Sequence, residues 1–178
     1  MNTLRQKYIT KIIPKLIETF NYTNIHQVPK IKTIIINRGL GLEGLNRNLL
    51  QKSIEEFRLI SGQHPIITLS KKSIATFKIR KGIPLGLKIT LRRKKMYNFL
   101  EKLIHIVLPR IPNFYGLNIK NFDKNGNFNF GITHQLVFPE INYDKIDKKR
   151  GFNISIVLHT NSIQASAFLL KELQFPII

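Results

Sequence analysis

The sequence feature that most constrains this chain is a long stretch without an acidic residue. Residues 57–100, 44 in all, contain neither Asp nor Glu. The stretch holds eleven basic side chains: Arg58, Lys71, Lys72, Lys78, Arg80, Lys81, Lys88, Arg92, Arg93, Lys94 and Lys95. A solvated face normally mixes both signs of charge, and basic residues at the start of a helix oppose its dipole. We therefore favour phosphate binding over a merely solvated face.

The charge of the whole chain points to the same kind of partner. Its 178 residues include 29 Lys and Arg against 10 Asp and Glu, a formal net charge of +19. So much charge on one small domain repels itself unless a polyanion neutralises it. The chain has no Cys, which excludes disulfides and Cys-ligated zinc. No apolar run approaches the roughly 18 residues of a membrane span, so we expect no membrane partner.

Hydrophobic spacing predicts the order of helices and strands. Apolar residues at three-to-four-residue steps predict helices over residues 3–20, 49–60, 94–108 and 162–174. Alternating or β-branched runs predict strands over residues 30–37, 65–69, 86–92 and 152–159. We interpret this order as one α+β domain covering residues 1–178.

Prolines and glycines predict where these elements end. We expect Pro14 to kink the first helix or break it early, and Pro109 to end the third. Gly62 is expected to end the second helix. An Asn-Gly pair within residues 123–126 predicts a hairpin between two short strands. Phe128 and Phe130 are then core residues of that hairpin rather than RNA-stacking aromatics.

One predicted strand separates an apolar face from a cationic face. In residues 86–92 (GLKITLR), three aliphatic side chains alternate with Lys88, Thr90 and Arg92. Because successive side chains of a strand point to opposite faces, the aliphatic set faces a core and the polar set stays available. Together with Asn37 and Gln63, this polar set suits 2′-hydroxyls and unstacked bases, which favours RNA over DNA.

The glycines at positions 39, 41 and 44 match the spacing of a dinucleotide-binding turn. That turn also needs an acidic residue about 20 positions later to hold the ribose. Residues 60–72 contain none. We therefore favour a tight strand-to-helix turn whose glycines take positive φ. A dinucleotide-binding enzyme remains as an alternative, and a calorimetric titration with a nicotinamide cofactor distinguishes the two.

The sequence contains no convincing catalytic or metal site. The histidines lack metal-ligand spacing; they are His26, His64, His105, His134 and His159. Glu55 and Glu56 are adjacent on a helix and diverge by about 100°. Asp144 and Asp147 lie among Lys145, Lys148 and Lys149, which predicts a solvated local ion network. We expect no enzyme, no cofactor and no metal.

Several longer motifs resemble one ribosomal family. The stretch Ile60–Ser73 (ISGQHPIITLSKKS) resembles the signature of bacterial-type large-subunit ribosomal protein five, the 5S rRNA-binding protein of the central protuberance. Residues 138–147 (FPEINYDKID) form a second long and specific match. Shorter matches run nearly end to end, at residues 20–22, 27–29, 37–41, 77–84, 90–92, 109–110, 114–117 and 122–127.

The resemblance implies a non-enzymatic α+β protein with an antiparallel-rich sheet, helices packed on one face and an open RNA-binding face. It implies that 5S rRNA docks there through Asn37, Gln63, Thr90 and Arg92. The basic loop of about residues 70–84 is implied to reach the elbow of tRNA in the peptidyl site. Its phosphate-binding residues would be Lys71, Lys72, Lys78, Arg80 and Lys81.

The resemblance also implies contacts with large-subunit rRNA and a bridge to a small-subunit head protein. We place the bridge at residues 110–115, with Arg110, Asn113 and Tyr115 as candidates. A homo-oligomer is not expected. A nonspecific basic RNA-binding protein is the remaining alternative function.

Four positions depart from the family pattern. His64 stands where the family usually has Lys or Arg, and Arg93 replaces a common Gly. His134 and Gln174 replace a frequent acid and a frequent Gly. Enrichment in Ile, Asn and Lys suggests AT-rich coding DNA, and the first residues show no transit-peptide pattern. We therefore expect a plastid ribosome, with a mitochondrion or the bacterial cytoplasm as alternatives.

Overall fold

A five-stranded sheet organises the chain, which a computed structural model describes over residues 3–143, 146–160 and 162–178. The strands are β1 (Lys30–Gly39), β2 (Ile66–Leu69), β3 (Pro84–Leu91), β4 (Phe128–Ile132) and β5 (Phe152–His159). They lie in the antiparallel order β2-β3-β1-β5-β4. The α-helices are α1 (Thr3–Lys7), α2 (Ile13–Phe20), α3 (Arg47–Ser61), α4 (Arg93–Lys102) and α5 (Ile163–Glu172). The predicted α+β class is confirmed.

The chain forms two compact units. The first comprises the described residues of Met1–Ile34, Leu91–Phe130 and Ser155–Ile178, and the second comprises those of Ile35–Thr90 and Gly131–Ile154. A single domain over residues 1–178 stays a prediction.

The first helix of the first unit does not break at Pro14. A π-helical turn, Tyr8–Ile12, joins α1 to α2, and the Ile13 N–H donates to the carbonyl oxygen of Tyr8. This wider turn places Pro14 in the first turn of α2, where its missing N–H leaves no helical hydrogen bond unmade. The predicted early break is therefore wrong, because helical backbone continues to Phe20, and the alternative of a kink at Pro14 stays a prediction.

The helix over residues 94–108 likewise continues past its proline. A second π-helical turn, Leu103–Val107, follows α4, and a 3-10 turn, Leu108–Arg110, contains Pro109. Pro109 lies at the start of this turn, where it needs no donor. The predicted end at Pro109 is wrong by one residue. As at Pro14, the proline lies in the first turn of a helical segment, where no hydrogen bond from its nitrogen is needed.

Aromatic side chains fill part of the first unit's core. Phe128 and Phe130 are buried, and both rings pack against Phe175 at centroid distances of 5.6 and 5.8 Å. The prediction that they are core residues is confirmed. The predicted hairpin is only partly correct, because Phe122 forms an isolated bridge with Phe128 rather than a strand.

An Asx turn at Asp123 replaces the expected two-stranded hairpin. Its carboxylate accepts hydrogen bonds from the backbone N–H groups of Asn125 and Asn127 at 2.9 and 2.7 Å. Burial raises the pKa of Asp123, but the hydrogen bonds from Asn127 and Asn125 outweigh it and the net pKa is lowered. Gly126 follows with φ +76°, a conformation that glycine adopts without strain.

The C-terminus of α5 ends in a Schellman motif at a residue that is not glycine. The Phe175 N–H donates to the Leu170 carbonyl, and the Gln174 N–H donates to that of Lys171. Gln174 takes φ +66°, the left-handed conformation that this motif requires.

Replacing Gln174 with Gly is expected to stabilise the protein by roughly 0.5–1 kcal/mol, because glycine takes this conformation without steric cost. Thermal unfolding measures the change. Gln164→Gly, at an exposed position in the first turn of α5, is the control and should destabilise by up to about 1 kcal/mol. A loss of stability in both variants would contradict the strain at Gln174.

In the second unit, α3 (Arg47–Ser61) begins two residues before the predicted range of 49–60 and ends one residue after it. The Asn46 side chain caps its first turn by accepting from the Asn48 N–H, and Gly62 ends it with φ +65°. The expectation for the preceding glycines is only partly correct, because Gly41 alone among them has positive φ. Gly44 is required instead for close packing: a Cβ there would lie 2.3 Å from the Pro84 carbonyl oxygen.

Candidate nucleic-acid interface

The two faces of β3 differ as the sequence predicts. Leu87, Ile89 and Leu91 are at most 1% exposed, whereas Lys88 is exposed and Thr90 is half-buried. β2 pairs antiparallel with β3, Ile66 facing Lys88. β3 ends at Leu91, one residue earlier than the predicted end at Arg92. The cationic face is therefore available to solvent while the aliphatic face anchors the strand.

Gln63 and Thr90 are in contact within the second unit. The Gln63 side-chain nitrogen donates to the Thr90 carbonyl oxygen at 3.4 Å. Ser61 holds this turn in place, since its hydroxyl accepts from the Gln63 N–H and donates to the Phe57 carbonyl. The amide of Gln63 is thus oriented by backbone groups, and its oxygen has no hydrogen-bond partner in the part of the chain that the structure describes.

Asn37 and Arg92 are both exposed. Asn37 lies near the end of β1, between the buried residues Ile36 and Arg38. Arg92 belongs to the first unit and precedes α4 with extended backbone, φ −137° and ψ 159°. Its side chain is exposed and has no hydrogen-bond or ion-pair partner among the described residues, so its guanidinium is available for a ligand.

A buried arginine next to Asn37 went unnoticed at the sequence level. The Arg38 side chain is 0% exposed, and its Nη1 lies 2.5 Å from Glu56 Oε2. Its guanidinium carbon lies 4.7 Å from the centre of the Phe57 ring. Burial lowers the pKa of Arg38, and its hydrogen bond to Glu56 opposes that change. Strand alternation would have found it, since Arg38 shares a face with Ile34 and Ile36.

Alternation also identifies polar positions that the sequence analysis did not single out. On β5, Phe152, Ile154, Ile156 and Leu158 are buried. Asn153 and His159 occupy exposed positions between and beyond them, and Asn129 is exposed on β4. These side chains add hydrogen-bonding groups to the solvent-facing side of their strands.

The basic loop of residues 70–84, here called the arm, is an ordered hairpin. Ser70 N–H donates to the Ile83 carbonyl, and Ile74 and Ile79 exchange two backbone hydrogen bonds of 2.9 and 3.1 Å. A 3-10 turn, Ala75–Phe77, forms its tip. All five predicted phosphate-binding residues are exposed: Lys71, Lys72, Lys78, Arg80 and Lys81. The arm therefore presents its charges on a defined backbone.

Charged residues at positions 147–150, near the end of the second unit, form ion pairs with residues far away in the sequence. Lys52 on α3 contacts Asp147 at 2.6 Å, and Glu43 accepts from both Lys148 and Arg150. The predicted local network is wrong in this respect, and Asp144 and Lys145 lie outside the described residues. Hydrogen bonds from Lys148 and Arg150 lower the pKa of Glu43, so their stabilisation is lost as the pH falls through it.

The candidate bridge residues are exposed in the first unit. Arg110 ends a 3-10 turn, Asn113 takes φ +54°, and Tyr115 is 86% exposed. The segment that follows is anchored by the C-terminus, because Leu117 exchanges backbone hydrogen bonds with Pro176 and Ile178.

The described part of the chain contains neither a membrane-spanning helix nor a metal cluster. None of its helices is long and apolar enough to cross a membrane. None of its groups of His, Asp and Glu side chains could hold a metal ion.

Comparisons with known proteins agree over nearly the whole chain. The family model described as ribosomal protein L5 matches residues 24–80, and the model of the C-terminus of the same ribosomal family matches residues 84–177. The large ribosomal subunit protein uL5c of Heterosigma akashiwo is 55% identical over 174 residues, 97% of this chain and 96% of the relative. That of Guillardia theta is 54% identical, covering 98% and 96%. The uL5 protein of Trichodesmium erythraeum is 50% identical, covering 98% and 97%.

Proposed function

Because the chain belongs to the ribosomal protein L5 family and is a structural, non-enzymatic protein of the large subunit of plastid ribosomes, we propose that it binds 5S rRNA through Asn37, Gln63, Thr90 and Arg92. Large-subunit rRNA is a further partner under this proposal. The surrounding positive charge supplies attraction to phosphates, and these four side chains supply selectivity.

The contact between Gln63 and Thr90 is the observation that most supports this proposal. The Gln63 side chain, oriented by the Thr90 carbonyl next to a cationic strand face, can donate to and accept from ribose hydroxyls and base edges with little reorganisation. A preorganised set of this kind loses little conformational entropy on binding.

The test compares 5S rRNA with an unrelated structured RNA of equal length at two salt concentrations. We expect a preference for 5S rRNA that survives the higher salt, because hydrogen bonding and shape are less sensitive to salt than phosphate attraction is. Equal binding of both RNAs that is lost at higher salt would identify a nonspecific basic RNA-binding protein instead.

We further propose that the arm contacts the elbow of tRNA in the peptidyl site, and that Arg110, Asn113 and Tyr115 contact a small-subunit head protein. Five exposed cations on an ordered hairpin suit phosphate contact without reading of sequence. The exposed Tyr115 offers an amphipathic contact of the kind enriched at protein interfaces.

The double variant Lys78→Gln/Arg80→Gln tests the role of the arm. On assembled ribosomes we expect tRNA to dissociate from the peptidyl site several-fold faster, because two phosphate contacts are lost. Affinity for 5S rRNA should change less than about twofold, since the arm is separate from that contact. The control is Lys120→Gln/Lys124→Gln, which removes equal charge from exposed positions. Loss of 5S rRNA binding instead would refute this division of roles.

A further inference from the structure

A second basic site lies in the first unit, lined by none of the residues assigned above. This pocket between α1, β1 and α4, here called the α1–α4 pocket, has a volume of about 510 Å³. It is lined by Arg5, Ile31, Lys32, Arg93, Met96 and Tyr97. Three separate elements thus contribute one cation each.

The three cations converge without a counter-charge. Arg5, Lys32 and Arg93 are exposed, and in the ranges that the structure describes none has a carboxylate at ion-pair distance. Other basic residues of the chain do have such partners, as Lys15 has in Glu172. Like charges held around one pocket repel each other, and an anion between them relieves that repulsion.

The floor of the pocket is buried and largely apolar. Ile31, Met96 and Tyr97 are 7%, 2% and 9% exposed. Burial raises the pKa of Tyr97, and the charge of Arg5 opposes that rise. A cationic rim over a buried, largely apolar floor can hold a phosphate together with the sugar attached to it.

The start of α4 supports the same ligand. Its first turn is basic, with Arg93, Lys94 and Lys95 and no acidic residue, and Arg92 provides no side-chain cap. Arg93 also takes φ +51°, a left-handed conformation that costs roughly 1 kcal/mol or more for a residue with a Cβ. The positive charge of Arg93 is thus unfavourable next to the helix dipole, and its backbone conformation is unfavourable as well. A bound phosphate would offset the unfavourable interaction with the dipole.

We propose that the α1–α4 pocket binds phosphodiester groups of 5S rRNA, extending the contact made by the neighbouring Arg92. This inference rests on the proposed function, because it takes the same RNA as the ligand. The pocket is larger than one phosphate requires, and its three cations suit consecutive phosphates rather than a free ion.

The test is the double variant Arg5→Gln/Lys32→Gln, with Lys120→Gln/Lys124→Gln as the control of equal charge and exposure. At moderate salt we expect the pocket variant to bind 5S rRNA about ten- to a hundredfold more weakly, and the control about twofold. The slope of log affinity against log salt should become shallower by roughly 1.4–1.8 in the pocket variant. Equal losses in both variants would overturn the proposal.

A second pair of variants separates RNA contact from stability. Arg93→Gly and Gln174→Gly both relieve a left-handed backbone and should both raise the melting temperature, but only Arg93→Gly should weaken RNA binding severalfold. Unchanged RNA affinity in Arg93→Gly would remove Arg93 from the site. If Arg5→Gln/Lys32→Gln lost binding to phosphatidylglycerol vesicles while its RNA binding stayed unchanged, the pocket would be assigned to a lipid headgroup and the proposal would be overturned.

Failure of this inference differs from failure of the proposed function. If the wild-type chain does not prefer 5S rRNA over an unrelated RNA, the proposed function fails. If it does prefer 5S rRNA and the pocket variant matches its control, only the pocket assignment fails.

Discussion

Replacing Glu56 with Ala is expected to lower the free energy of unfolding by about 3–5 kcal/mol, because it leaves a buried guanidinium without its counter-charge. The Arg38 side chain is fully buried, and its Nε and Nη2 atoms have no hydrogen-bond partner among the described residues. The ion pair with Glu56 is therefore its main compensation. For a chain of this length the loss corresponds to a drop in melting temperature of roughly 10 °C, measured by thermal unfolding.

The neighbouring Glu55 provides the matched control. Glu55 is exposed, so Glu55→Ala should change stability by less than about 0.5 kcal/mol. The double variant Arg38→Met/Glu56→Ala should recover most of the lost stability. A methionine packed against the Phe57 and Phe152 rings is apolar and needs no counter-charge. Equal stability of the Glu55 and Glu56 variants would show that Arg38 does not depend on this ion pair.

Local signals predicted most elements of the fold. β5 has the predicted limits, and Gly62 ends α3 in the left-handed conformation expected of a C-terminal glycine. The errors at Pro14 and Pro109 share one cause. A proline cannot donate a backbone hydrogen bond, and its ring clashes with the carbonyl group four residues earlier in an α-helix. A π turn before the proline, or a 3-10 turn around it, avoids both problems. The sequence contains no local signal for either adjustment.

The candidate site was predictable only where it depends on strand periodicity. Alternation correctly placed Thr90 on the side of β3 opposite its buried aliphatic residues. The partners of charged residues were not predictable, because Lys52 and Asp147 are 95 residues apart and meet only through tertiary structure. The requirement for glycine at position 86 was not predictable either: a Cβ there would lie 2.4 Å from the Arg38 carbonyl oxygen. Such close approaches depend on which strands become neighbours.

Replacing Arg92 with Ala is expected to weaken 5S rRNA binding by about 1–3 kcal/mol, roughly five- to 150-fold, as for a charged hydrogen bond to RNA. The Arg92 side chain is exposed and does not cap α4, so its removal should leave the melting temperature unchanged. Filter binding or fluorescence anisotropy at one fixed salt concentration measures the loss. Lys171→Ala, which removes one exposed charge from α5, is the control.

The comparison between RNAs decides what Arg92 contributes. A guanidinium that reads a ribose or a base edge in 5S rRNA supports selectivity, so Arg92→Ala should reduce affinity for 5S rRNA more than affinity for an unrelated structured RNA. A guanidinium that only adds to the net charge of +19 would reduce both affinities equally, and by no more than Lys171→Ala does. That second result would contradict the assignment of Arg92 to the 5S rRNA contact, and selectivity would then depend on Asn37, Gln63 and Thr90.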